Sequence, residues 1–462
     1  MDSTAKTFGL LRSGAKEQSP AIMSAQHSSV AALIFAGLAL ASFLIGFGLR
    51  EDGSGGARFD YFHHHLPTIE RFVSEPWSAA IRDYPSPATP LFYILASINP
   101  LLGNELLFSI FHTVMAVGIA VLFAYALHAR FAAFHAQWPW ALLAGAAILL
   151  SPYFRAAAYW PQTDDLPFLF VILTYLCLLP LLDNEKPSSL NPSLLIPVVA
   201  VVSACAFYTR QFYLFLPIFS FAVLFIFYPT QRILTVVSFA AATIPGIILL
   251  LTWQGVSPPF DREKVGFSPN SLVYGFSFGM FYAIPFFCYR SYAWLTGGSG
   301  KLPLPRRSTA LLLGAGYLLF LAIFLPHFTF PELAGGVLGK LCERAGPLGP
   351  LLFVTAAYCG LLIVANLMLF TSWQTRLLIG LVFVPFLIRP IVYQRYFDPL
   401  LLVLFMLFYN RRYVARYANH RAAFSVAGFN VALLIAAIGY YHASGHMVFD
   451  PLDWSHKQFS AQ

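Results

Sequence analysis

The sequence predicts an all-α polytopic membrane protein, and three observations predict it. Of 462 residues, 58% are hydrophobic and only 10% are charged, against about 45–50% and about 25% in ordinary soluble domains. Mean hydropathy is +0.69. The apolar residues gather in runs near the ~20 residues that a spanning helix needs. With 28 basic and 20 acidic side chains, a soluble globule of this size could not cover its surface. A soluble enzyme, a disordered chain and a disulfide scaffold are thereby excluded. The net charge of +8 arises from basic residues scattered singly or in pairs between apolar runs. That placement reports membrane topology rather than nucleic-acid binding.

Residues 1–27 are polar and carry Lys6, Arg12 and Lys16, as a cytoplasmic tail would. Ser28 to Leu49 is one apolar run. It is longer than the ~7–15 residues of a signal-peptide core, so it is expected to be an uncleaved first span. Further runs begin near Glu105, Pro139, Asp165, Ser193, Phe212, Ile233, Ser271, Ser308, Gly349, Arg376, Phe397 and Ala422. Those at Phe212, Arg376 and Phe397 are the shortest, which gives 11–13 spans in one domain over 28–442, followed by a tail over 443–462. No fixed-period repeat and no phosphate-loop motif interrupts it.

Charge orients the chain. With the N-terminus inside, the inner segments hold 15 Lys and Arg against four acids, and the outer segments hold 13 against 16. The bias agrees with the positive-inside rule. The longest outer loop covers 50–104. In it, "LPTIERFV" places Leu66, Ile69 and Val73 on one helical face, as in an interfacial helix. "TPLFYILASINPLLG" is apolar but too short to span, so it reads as a re-entrant or interfacial helix.

Ionisable residues next to hydrocarbon are costly and need partners. Asp60 lies in "RFDYFHHHLP", about eleven residues past the first span. Asp164 and Asp165 adjoin in "AYWPQTDDLP", where two carboxylates repel unless something uses them. Arg210 stands between apolar runs in "AFYTRQFYLF", and Arg389 and Arg395 stand in "IRPIVYQRYFDPLL". A guanidinium fork fits a carboxylate or a phosphate, so each arginine calls for an Asp, a lipid headgroup or a bound phosphate. Carboxylates, arginines and aromatics on one outer face are what sugar transfer from a lipid phosphate requires. A carboxylate takes the acceptor's proton, cations hold the departing phosphate, and aromatic faces hold the sugar and the isoprenoid chain.

The run His63–His65 is a metal candidate. Three consecutive histidines cannot all face one ion on regular structure, so local hydrogen bonding is the simpler reading. No cofactor is required, and a divalent metal is an unfavoured alternative. The five cysteines share no metal-ligand spacing and read as small buried hydrophobes.

These segments resemble membrane glycosyltransferases of the GT-C type, which have a long first external loop with an acid soon after the first span. More narrowly, they are similar to the dolichyl-phosphate-glucose α-1,2-glucosyltransferase family. Asp60 and His64 resemble that family's acidic pair and following His, with Tyr61 in place of its Glu. Asp83, Thr89, Pro90 and Tyr93 resemble an Asp, a Thr-Pro-Pro and a Leu-Tyr. Gln162, Thr163 and Asp164 resemble a Tyr-Thr-Asp; Arg210 and Gln211 resemble the start of an Arg-Gln-Thr-Asn, departing at Phe212 and Tyr213. Arg395, Tyr396 and Pro399 resemble a late Arg-Tyr with a following Pro. The matches keep one order from about residue 60 to 400.

The resemblance implies a GT-C-like bundle that moves glucose or another hexose, with inversion, from a polyprenyl-phosphate donor to a glycan or glycolipid acceptor outside the cytoplasm. It implies Asp60 as general base and Asp164 as the second acid. Arg210 and Arg395 are then the phosphate ligands, and His64, Asp83, Tyr93, Asp165, Gln211 and Tyr396 are further substrate contacts. Compact loops and missing glycosylation sequons suit a bacterial inner membrane; an endoplasmic reticulum membrane is the other setting. Membrane lipid is a partner and nucleic acid is not. A multi-pass transporter or lipid flippase is the main rival, although transporters usually place ionisable groups near the midplane. A non-catalytic scaffold or receptor is a third reading.

Overall fold

The computed structural model describes residues 20–132, 138–182, 191–260, 268–297, 307–330, 336–369, 371–387 and 392–443, together with Gly266. Residues 1–19 and 444–462 of the two tails and Arg389 lie outside the described residues, and the N-terminal helix begins at Pro20, inside the stretch expected to be tail. Every regular element among the described residues is helical.

The first helix, α1 (Pro20–Gly48), carries no charge in its first or last turn. It stops where Arg50 takes a left-handed conformation and the Glu51 N–H donates to the Gly46 carbonyl. The outer loop then folds on itself. It holds α2 (Ala57–Asp60), a π-turn over Tyr61–His65, α3 (Leu66–Ser74), α4 (Trp77–Ala80) and α5 (Leu91–Ser97). Ile69, Phe72, Tyr84, Phe92, Tyr93 and Trp253 give this layer its own core. The predicted face of α3 is corrected here. Thr68, Ile69 and Phe72 are buried, whereas Val73 is 56% exposed. Phe72 packs on the rings of Tyr84 and Tyr93, so the helix turns toward the loop's own aromatics.

Next comes α6 (Glu105–Phe131), capped by Asn104, whose side chain accepts the Leu107 N–H. Its 27 residues span about 40 Å. Glu105 binds Arg50 at one end, and at the other Arg130 donates to the Met406 and Tyr409 carbonyls. This helix therefore marks the two ends of the bundle. The pair α7 (Trp138–Ile148) and α8 (Pro152–Tyr159) bends by 69°. Ser151 and Pro152 begin the second member, and the Ser151 side chain accepts the Phe154 N–H.

After these come α9 (Leu166–Leu182), α10 (Pro192–Thr209), α11 (Phe215–Phe227) and α12 (Arg232–Trp253). They are followed by α13 (Pro269–Gly297), α14 (Arg307–Phe324), α15 (Gly336–Glu343) and α16 (Gly349–Leu369). The chain ends with α17 (Trp373–Leu387), α18 (Leu400–Phe408), α19 (Arg411–Val414) and α20 (His420–Ala443). Prolines lie inside α9, α10, α12, α13 and α17; beside Pro245 the Tyr208 hydroxyl of α10 donates to the Ala242 carbonyl and accepts the Gly246 N–H. Helices α13 and α16 pack backbone to backbone at Gly360, where a Cβ would run into the Phe276 carbonyl.

Among the described residues, seven helices are long and apolar enough to cross a membrane, and eight if the bent pair is one span. The chain is thus an integral multi-pass helical membrane protein. The seven or eight stand below the 11–13 expected from apolar runs. Several of those runs form shorter apolar helices, at Leu166–Leu181, Gln211–Phe227 and Leu311–His327. The run at Phe397 yields only the nine residues of α18, because a 3-10 turn and Pro399 precede it.

Candidate active site

Asp60 ends α2, and its Oδ2 accepts from Arg395 Nη1 at 2.5 Å across 335 residues of sequence. Arg210 follows the last turn of α10, where its extended backbone breaks the helix, and it pairs with Asp164. The expectation that each arginine needs a partner is met by an acid in both cases. Tyr396 lies between the pairs: the Arg210 guanidinium carbon is 5.0 Å from its ring centre and that of Arg395 is 5.9 Å away. The Phe212 ring lies tilted against Tyr396 at 4.4 Å between ring centres, and the Tyr393 ring centre lies 4.9 Å from the Arg395 guanidinium carbon.

The electrostatics follow from this packing. Burial pushes the Asp60 carboxyl upward, but the Arg395 charge and hydrogen bond, aided by His65 and His64, outweigh it and hold the group below its ordinary value. Burial lowers Arg210 to about 10, still a cation at neutral pH. Arg395 is raised: burial lowers it, and the field of Asp60 more than compensates. The Arg395 Nε is buried without a partner among the described residues, so the site keeps an unused donor.

The three histidines point three ways. His63 donates to the Phe59 carbonyl at 3.0 Å and stacks on that ring. His64 donates to the Pro85 carbonyl at 3.2 Å. His65 shares a hydrogen bond with the Tyr93 hydroxyl at 2.9 Å, and burial pushes it down to about 3, so it is neutral. Among the described residues no group of three His, Cys, Asp or Glu is arranged to hold a metal.

Tyr93 also meets the Ser86 hydroxyl and lies in the fields of Arg210 and Asp60. Gln211 donates to the Pro87 carbonyl and Thr89 to the Phe207 carbonyl, at 2.8 Å for the latter; both bonds tie the outer loop to the end of α10. Gln162 donates to the Ala57 carbonyl at 2.7 Å and so steadies the helix that ends in Asp60.

Asp60, His64, Tyr93, Asp164, Arg210, Gln211, Arg395 and Tyr396 therefore form one connected region. Asp83 does not join it. Its side chain is exposed and makes no hydrogen bond or ion pair among the described residues, because Tyr84 takes the buried position of that turn. Asp165 is fully buried, and neither of its carboxyl oxygens has a hydrogen-bond partner among the described residues. Burial raises its pKa well above the ordinary carboxylate value. The adjacent acids thus differ: Asp164 is paired with Arg210, while burial favours the uncharged form of Asp165.

Sequence reading missed the layer behind Arg395. Asp398 Oδ2 accepts from the Ser151 hydroxyl at 2.6 Å. Gln394 donates to the Tyr282 hydroxyl at 3.0 Å and accepts the Leu338 N–H at 3.2 Å. Burial pushes Asp398 up to about 7. The available signal was an acid inside "QRYFDPLL", three residues beyond Arg395 and next to hydrocarbon. No protein-family model, curated protein or solved structure matches the chain.

Proposed function

We propose that the protein is a glycosyltransferase that moves a hexose from a polyprenyl-phosphate donor to a glycan or glycolipid acceptor at the non-cytoplasmic face. The observation that carries this reading is the Asp60–Arg395 pair beside Asp164–Arg210, with Tyr396 between them. Two arginines, one with a spare donor, suit a phosphate diester, and the aromatic wall suits a sugar and an isoprenoid.

The pairing supplies a sequence of events. The donor's phosphate competes with Asp60 for Arg395. Once released, Asp60 keeps its burial but loses the cation that held its pKa down, so it becomes a stronger base. Asp60 takes the proton of the acceptor hydroxyl as that oxygen bonds the anomeric carbon. The bond from this carbon to the phosphate oxygen breaks, and its electron pair leaves with the polyprenyl phosphate. Arg395 and Arg210 stabilise the released charge. One displacement inverts the anomeric centre, by the logic of inverting glycosidases.

The test is a transfer assay on purified protein in lipid, with a panel of polyprenyl-phosphate sugars and a membrane extract as acceptor source. Donor consumption that needs both the acceptor and Asp60 is expected. Wild-type turnover in Asp60→Asn removes Asp60 from the base role. Substrate uptake into sealed vesicles without a covalent product would replace the reading with a transporter.

A further inference from the structure

A cavity of about 180 Å³ lies between α13, α16, α17 and α18, and neither Asp60 nor Arg395 is among the residues that line it. Phe286, Val364, Thr375 and Phe405 line its body, with Tyr282 at one end and Tyr413 at the other. Apolar cavities of ~150 Å³ accommodate a benzene-sized guest, so this one has room for a short run of methylenes.

Its two ends differ. At the Tyr282 end the hydroxyl already receives a hydrogen bond from Gln394 and interacts with Asp398. At the Tyr413 end the neighbouring segments carry cations: Arg376 follows the lining residue Thr375, and the Arg416 guanidinium carbon lies 5.9 Å from the Tyr413 ring centre. Both arginines are exposed. This is the end of the bundle where Arg130 meets the Tyr409 carbonyl. Among the described residues, the acids fall instead in the outer loop with Glu105, at 164–165, at Glu343 and at Asp398.

We infer that the cavity and its arginines form a binding site for an acidic phospholipid. One acyl chain enters between α13 and α17, and the phosphate rests on Arg376 and Arg416. Charge orients the guest: at the Tyr413 end Arg376 and Arg416 are exposed cations, whereas at the Tyr282 end the nearby Arg395 is paired with Asp60. Basic residues at the cytoplasmic end of a helix bundle are a recognised setting for anionic headgroups. The inference is independent of the transfer reading, because it uses neither Asp60 nor Arg395.

The experiment is lipid competition on the full chain by native mass spectrometry, with phosphatidylglycerol and phosphatidylcholine of equal chain length. At about 1 kcal/mol per arginine near an anionic surface, each arginine is worth roughly fivefold. Wild-type protein should retain phosphatidylglycerol over phosphatidylcholine by at least that factor. Arg376→Gln with Arg416→Gln should bring the ratio to parity, and Val364→Trp should lower retention of both lipids by filling the cavity. Equal retention in the wild type, or a preference unchanged by the arginine pair, overturns the site. A polyprenyl phosphate that displaces phosphatidylglycerol in an Arg395-dependent way overturns it too, by making the cavity that lipid's tail site. Both arginines are exposed, so their replacement tests the idea even if the tryptophan variant fails to fold.

Discussion

Arg155 and Arg395 each reach back to a carboxylate in the outer loop, but they are satisfied differently. Arg155 grips Glu51 with two bonds, Nε to Oε1 at 3.0 Å and Nη2 to Oε2 at 2.7 Å. Its remaining nitrogen donates to the Ser42 hydroxyl at 3.1 Å. The two side chains are 2% and 5% exposed. Gly46 makes room for them, since a Cβ there would strike Arg155, Glu51 and Tyr159. Arg395 touches Asp60 through one nitrogen, leaves its Nε unused, and the pair is 21% and 23% exposed. A saturated, enclosed pair fastens the loop to the bundle. An unsaturated, accessible pair has capacity for a ligand.

The sharpest break between the pairs is expected from removing one acid of each. Asp60→Asn should lower transfer by about 10²- to 10⁴-fold, the usual worth of a general base, while lowering the thermal midpoint far less than the loss of Glu51 does. Glu51→Gln should do the reverse. It strands a buried guanidinium, at a cost of about 3–5 kcal/mol, seen as a lower midpoint in detergent. The double change Glu51→Leu with Arg155→Leu should recover most of that loss, since no charge is then left unpaired. Equal stability losses at Asp60 and Glu51 would erase the distinction.

A smaller contrast comes from Lys at each arginine. Lys keeps the charge but not the fork. Arg395→Lys should lower turnover by up to about 10²-fold, within the range for a lost transition-state donor, with little change in the midpoint. Arg155→Lys should act on the midpoint and leave any transfer by the folded protein unchanged.

How far these pairs were legible follows from what a sequence records. Arg210 and Arg395 announced themselves because a guanidinium beside hydrocarbon must be paired. Their partners did not, because Asp60 and Arg395 meet only through packing across 335 positions. Asp83 was read as part of the site from its motif, yet it is exposed, whereas Thr89 and Tyr93 of the same motif and the neighbouring Tyr84 are buried. Local turn geometry decided that, and spacing does not encode it. The helical class was plain from composition. The span count was not, since an apolar run does not show how much of it becomes helix: the run from Phe397 gives only the nine residues of α18, which begins after Pro399.

The finest test concerns Asp398, which stands between the two behaviours: buried like Glu51, yet hydrogen-bonded to the Ser151 hydroxyl rather than to an arginine. Its folded pKa is raised to about 7 by burial, above the ~3.9 of an unfolded Asp. Between these values the folded protein keeps a proton that the unfolded chain has released. Stability therefore falls as pH rises from about 4 to about 7 and levels off above. Asp60 has the opposite sign: its depressed pKa contributes stability above the ordinary Asp value, and this is lost as pH falls through the folded value. Asp398→Asn mimics the neutral form and should flatten the decline between pH 4 and 7 without touching the acid limb. Asp60→Asn should remove part of the acid limb alone. Thermal midpoints of the two variants across that range separate the contributions. A decline that survives in Asp398→Asn would assign the titration to another buried acid, with Asp165 the next to replace.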